Sequence, residues 1–160
     1  MNLEPRSPRL RASCIRGAAL AGLMCWLGSA AAQQSALPTI KLNAGIHVIQ
    51  AEVASTMVTR SQGLMQRKAM APGAGMLFLF DESATHCMWM KNTLLPLSVA
   101  FIDERGEIVN IADMQPLDET THCALRPVRY ALEMNQGWFK QRGIAPGTHL
   151  DGIPQSRRRQ

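Results

Sequence analysis

No apolar stretch in this 160-residue sequence is long enough to cross a bilayer. The most extended run, Ala18 to Leu27, falls well short of the roughly 20 residues a spanning helix needs. Three catalytic signatures are also missing: a Gly-x-Ser-x-Gly nucleophile elbow, a phosphate-cradling glycine loop and a His-Glu-x-x-His helix. The chain therefore carries no local sign of serine-hydrolase, nucleotide or zinc-protease chemistry, and no cofactor is expected. There is no internal repeat and no low-complexity block, so the organisation has to be read from periodicity. Basic charge is short where a nucleic-acid surface would need it. The formal net charge is +5, but residues 1–32 hold four arginines and one glutamate, which leaves 13 basic against 11 acidic residues beyond them. Arg157, Arg158 and Arg159 account for three of those, so the positive charge sits at the two ends rather than as a stripe on a folded body, and no nucleic-acid partner is expected.

What is present begins with a leader. Arg6, Arg9, Arg11 and Arg16 precede the apolar run, and the small-residue stretch Gly28 to Ala32 follows it. This is the plan of a secretory signal peptide spanning 1–32, with cleavage between Ala32 and Gln33 and a periplasmic or secreted product. Cys25 is a poor lipid anchor, because Gly22, Leu23 and Met24 do not supply the small residue such a cut expects. No adjacent arginine pair marks the leader for export of a prefolded protein. The remaining chain suits a single β domain over 33–153 and a basic tail over 154–160.

Alternation and turn residues predict strands at 40–43 and 47–54, joined through Asn43, Ala44 and Gly45. A short helix is expected over 59–68, capped by Thr59 with Gln62 completing the box. Pro72, Gly73 and Gly75 break the chain before the continuous apolar run Met76 to Phe80, which reads as a buried strand. Strands at 97–103 and 107–114 flank a turn whose Gly106 can take the positive φ a hairpin requires. A strand through 134 with an arginine and a carboxylate on one face, a helix over 136–142 and a last strand at 148–150 complete the reading. These elements amount to a mainly antiparallel β-sandwich or open barrel with two short helices.

Several ordered blocks resemble a known family. GLMQR (63–67), GMLFLF (75–80), MWMKNTLLPL (88–97), FIDERGEI (101–108) and VRYALEMNQGW (128–138) are similar to the bacterial and archaeal domain-of-unknown-function family 192. The resemblance extends over nearly all of residues 40–151. It implies a compact, mainly antiparallel sandwich or jelly-roll fold, often behind a signal peptide, and it implies no activity. Members usually carry an aspartate after the Pro-Leu that follows Lys-Asn-Thr, where this chain has Ser98.

Candidate chemistry concentrates around residues 86–93. Trp89 offers an apolar wall with one donor, Lys91 a charge, and Asn92 and Thr93 polar hooks that are also turn formers. One reading makes Asn92 and Thr93 shape a loop, Trp89 a core residue and Lys91 the ion-pair partner of Glu133. The other gathers Trp89, Lys91, Asn92, Thr93, Arg129 and Glu133 around one cleft that binds a small or polymeric envelope ligand or a protein partner. An enzymatic alternative is a hydrolase or isomerase using Glu133 with Lys91 and Asn92 as acid, base and positioning groups. Cys87 and Cys123 are expected to be joined, since thiols that meet in an oxidising compartment usually are. A metal site from His86, Cys87, His122 and Cys123 is the remaining alternative, awkward because adjacent residues of a strand point to opposite faces.

Overall fold

The computed structural model describes residues 37–154. The expected leader, its cleavage point, Cys25 and the arginine-rich tail from 155 onward lie outside the described residues. Seven strands form one curled mixed sheet in the order β6-β5-β8-β3-β2-β1-β9, with two short helices and a separate two-stranded ribbon, β4-β7. The strands are β1 (Thr39–Ala44), β2 (His47–Ala54), β3 (Ala74–Ala84), β4 (Cys87–Met88), β5 (Leu97–Ile102), β6 (Ile108–Met114), β7 (His122–Cys123), β8 (Val128–Asn135) and β9 (Leu150–Asp151). The helices are α1 (Met57–Gln62) and α2 (Trp138–Gln141). The mainly β architecture with two short helices agrees with the sequence reading.

All neighbours in the large sheet are antiparallel except β2 and β3, which run parallel. The crossover between them is the 55–73 segment carrying α1, and a parallel pair needs a connection of that length. Curling brings the ends of the sheet together. The 147–150 segment hydrogen-bonds to the start of β6, with Ile108 N–H donating to Thr148 O (2.9 Å), Gly147 N–H to Ile108 O (2.8 Å) and Leu150 N–H to Gly106 O (2.9 Å). Its continuation, β9, pairs with β1.

The sheet separates two apolar clusters. Inside the curl, Leu42, Ile49, Leu77, Ala100, Ile102, Tyr130, Leu132 and Leu150 pack against Trp138 and Phe139 of α2. On the outer face, Met76, Phe78, Leu97, Val99, Phe101 and Ala131 are roofed by Leu64, Met90 and Leu95 from the connecting segments. Strand β8, between β3 and β5, is consequently buried on both faces, and its arginine-and-carboxylate side is not a solvated one.

Boundaries shift where caps and turns decide them. Helix α1 starts earlier than its residue pattern suggests, because Thr56, not Thr59, is the N-cap. Thr56 Oγ1 accepts from Thr59 N–H at 3.1 Å, Thr59 Oγ1 accepts from Thr56 N–H at 3.0 Å, and Gly63 at φ 47° ends the helix. The β1–β2 turn falls on Gly45 and Ile46, one residue later than expected, because Ala44 still pairs with His47. Helix α2 is shorter than the expected 136–142, since Gly137 at φ 76° precedes it and the chain tightens again at Arg142, whose N–H reaches Phe139 O at 3.1 Å.

Candidate functional site

A cleft of about 200 Å³ opens on the outer face of the sheet, between α1 with its following turn and the 87–93 segment. Its lining includes Arg60, Gln62, Gly63, Leu64 and Met65 on one side, Met88, Trp89 and Thr93 on the other, Phe78 and Phe80 from β3, and Glu133 from β8. Register sets the floor: Glu133 stands between Met76 of β3 and Val99 of β5, so an acid is inserted in a row of apolar side chains.

Each wall is tied to the sheet. Arg60 donates from Nη1 to Leu79 O at 2.7 Å and from Nη2 to Asp81 Oδ2 at 2.6 Å. Arg67 forms a bidentate pair with Glu52 of β2 at 2.5 and 2.6 Å, and Gln66 N–H reaches across to Asn92 O at 2.9 Å. The opposite wall is held by Met90 N–H on Asp118 O (2.9 Å), by Leu117 N–H on Thr93 O (3.0 Å), and by the β4–β7 ribbon. In that ribbon Cys87 faces Cys123, and the two are joined by a disulfide with S–S 2.07 Å.

Glu133 is 4% exposed, and its carboxyl makes no hydrogen bond or ion pair with any described residue. Burial alone pushes that carboxyl up to about 8, because an ion without a partner is penalised in an apolar setting. The Lys91–Glu133 pair is not formed. Lys91 is exposed, and its ammonium lies over the Trp89 ring, 5.3 Å from the centroid. Trp89 is 46% exposed and is a cleft wall rather than core. Asn92 is exposed in a left-handed conformation (φ 54°), a conformation asparagine tolerates better than most residues, and it shapes the turn that delivers Thr93. Thr93 is buried, with its hydroxyl donating to Lys91 O at 3.2 Å.

The structure thus brings Trp89, Thr93 and Glu133 to one cleft, while Lys91, Asn92 and Arg129 do not line it. The sequence pattern did not reveal the wall made by α1 and the GLMQR segment after it, whose Gly63, Leu64 and Met65 gain a role only beside the cleft. Cys87 and Cys123 are committed to each other, and His122 sits opposite Met88, one residue along from that pair. His86 stacks on Phe80, ring centroids 3.7 Å apart. Among the described residues no three His, Cys, Asp or Glu side chains are grouped to hold a metal ion.

Ser98 lies on the inner side of β5, away from Glu133. Its hydroxyl donates to Asp113 Oδ1 and accepts from Gly137 N–H at 2.8 Å, so β6 supplies a carboxylate beside that position. The departure from the family pattern does not touch the cleft.

The match to domain-of-unknown-function family 192 (DUF192, described as uncharacterized ACR) covers residues 39–152. The chain belongs to this family. Solved structures similar to it include the following two. One is a Sinorhizobium meliloti 1021 protein described as a candidate transcription regulator, 38% identical, with a TM-score of 0.69 over 72% of this chain and 95% of that one. The other is a protein of unknown function from Novosphingobium aromaticivorans DSM 12444, 32% identical, with a TM-score of 0.70 over 74% and 89% of the two chains. No curated protein matches the sequence. Among the described residues no helix is long and apolar enough to cross a membrane.

Proposed function

We propose that this DUF192 member is an exported, single-domain binding protein that receives a small molecule, or one end of a larger one, in the cleft above Glu133. The observation that carries the reading is the Glu133 carboxyl, which opens onto the cleft floor from a residue only 4% exposed and has no partner among the described residues. Leaving a charged or hydrogen-bonding group unsatisfied costs on the order of 1–3 kcal/mol, and a fold keeps such a group where a ligand completes it. An apolar wall with a few convergent polar groups is the usual build of a ligand site. The volume, about 200 Å³, lies below the roughly 300–1,000 Å³ of drug-sized pockets and favours a small group. Export to the periplasm or exterior is supported by the basic, apolar and small-residue order of the leader and by the Cys87–Cys123 bond, which suits an oxidising compartment.

A thermal-shift screen of residues 33–160 with metabolites, sugars and cell-wall fragments tests this, because a ligand that prefers the folded state raises the melting temperature. Glu133→Gln should melt higher than the parent at pH 8 and lose the ligand shift. Retention of every ligand shift in that variant, with no turnover lost, would remove the cleft from the reading.

One observation favours a second reading as an enzyme: a carboxyl raised to about 8 is protonated at neutral pH and can act as a general acid. Lys91 and Asn92 lie outside the cleft, so Glu133 would act without them. Loss of turnover in Glu133→Gln with ligand affinity preserved would mark this chemistry.

A further inference from the structure

We propose that the Glu133 cleft selects ligands bearing an alkylammonium group, which enters as a cation and forms an ion pair with the Glu133 carboxylate. The inference rests on the binding reading above and names the chemistry of the ligand.

Three features of the cleft point to a cation. Glu133 is the acid of the lining, and Arg60, the base of the lining, is already engaged by Asp81 and by the carbonyl of Leu79, so the polar group left to meet a ligand is a carboxyl. The lining includes Phe78, Phe80, Trp89, Met65 and Met88, an aromatic and thioether setting of the kind that accommodates cations. Thr93 lines the cleft with its hydroxyl donating to Lys91 O, so its remaining hydrogen-bonding capacity is as an acceptor, which suits a donor ligand.

Binding must be coupled to a proton. The empty cleft holds the acid form at neutral pH, since burial pushes the carboxyl up to about 8. When R–NH3+ enters, the Glu133 O–H bond breaks, the proton passes to solvent and the carboxylate left behind pairs with the ammonium. Charge is conserved: one cation is bound for one proton released. Of the other titratable groups on the elements around the floor, Arg67 of the segment after α1 is paired with Glu52, Lys91 lies on Trp89 outside the lining, His86 after β3 is stacked on Phe80, and His122 of β7, opposite Met88, has a buried Nε2 without a hydrogen-bond partner among the described residues. Arg129, two residues from Glu133 on β8, does not line the cleft, and β5 contributes no titratable side chain beside it.

The test uses the mature chain and three probes of matched size: n-butylammonium, n-butanol and butyrate. Titrations are followed by calorimetry and by methyl NMR of Met65 and Met88. The expected result is that n-butylammonium perturbs both methyls and binds at least tenfold tighter than the other two at pH 8.5. Its affinity should fall by approaching tenfold per pH unit below about 8, with up to one proton released per ligand, seen by comparing buffers of different ionisation enthalpy. Glu133→Gln should abolish the preference. If that variant does not fold, Trp89→Leu, at a half-exposed position, should weaken n-butylammonium more than n-butanol. If n-butanol or butyrate seats in the cleft as tightly as the ammonium, the cation class is overturned and the binding reading stands. If the screened ligands bind but n-butylammonium does not, the class is again wrong. If no ligand of any kind moves the Met65 and Met88 methyls, both fall.

Discussion

Glu133 gives the fold a dependence on pH that can be worked out in sign. Its carboxyl has an ordinary value near 4.5 when the chain is unfolded and about 8 when folded. Between those values the folded protein holds a proton that the unfolded chain has released. Stability is therefore full below about 4.5, falls as pH rises, and levels off above about 8. The slope should approach a tenfold change in the folding equilibrium per pH unit, and Glu133→Gln should flatten it. Urea melts of both proteins at pH 5, 6, 7 and 8 measure it, and parallel profiles would show that Glu133 is not the group responsible. Gly75 of β3 is a second sensitive position, opposite Met134 on β8. A Cβ there would meet Met134 Sδ at 2.3 Å and the carbonyl oxygen of Glu133 at 2.6 Å, because β3 and β8 approach closely beside the cleft floor. Gly75→Ala should cost about 1–3 kcal/mol, as overpacking does, and should also weaken any cleft ligand by displacing Glu133. Denaturant unfolding with a parallel ligand titration checks both effects.

The β5–β6 hairpin and the β4–β7 ribbon behave as separate units. In the hairpin, Asp103 closes the turn, its Oδ1 accepting from Arg105 N–H at 2.9 Å and Glu107 N–H at 3.0 Å while Oδ2 accepts from Arg126 at 3.0 Å. Burial works to raise this carboxyl. The bonds from Arg126, from the two N–H groups and from the Arg105 side chain together outweigh it and hold the group below its ordinary value. Its stabilisation is present above that value and is lost as pH falls through the lowered one. Asp103→Ala should therefore destabilise at pH 7 by about 1–3 kcal/mol and by less near pH 2, which thermal melts at the two pH values would reveal. In the ribbon, two residues per strand are too few to persist alone, and Cys87–Cys123 fixes them across a sequence separation of 36. The chain-entropy model puts such a link on the order of 4 kcal/mol, before any native strain is subtracted. Reduction should lower the melting temperature and increase amide exchange first at 87–93 and 117–123. Uniform exchange over the whole sheet would indicate that the ribbon is not a local unit.

At the scale of the molecule, the curl depends on its last segment. Residues 147–151 bridge β6 and β1, Leu150 and Ile153 are buried in the inner cluster, and the Tyr130 hydroxyl donates to Pro154 O at 2.9 Å. A chain ended after Gly147 would expose the edges of β1 and β6 together with that apolar interior. It should aggregate or unfold below 37 °C, whereas one ended after Pro154 should melt within a few degrees of the parent. Circular dichroism and light scattering of the two truncations decide it. The cleft lies on the outer face, roofed by other segments, so loss of closure would reach it only through the shared strands β3, β5 and β8.

Some of this was decided by local chemistry and could be read along the chain. The alternation of 47–54, the apolar run 76–80, Gly106 in its turn and two cysteines that join each other each depend on period, turn geometry or bond formation, and the family resemblance placed them in one β domain. Other features depend on groups far apart in sequence. The parallel β2–β3 pair, the burial of β8 on both faces and the cleft wall made by α1 and its following turn depend on the order in which strands meet, which no single stretch encodes. For the same reason Lys91 looked like the partner of Glu133. Both residue types suit an ion pair, but only the folded chain shows Lys91 over Trp89 and Glu133 between Met76 and Val99. The sequence determined which groups were available to the site. Tertiary packing decided which of them lost their water, and desolvation is what turns an ordinary glutamate into a protonated acid with no partner.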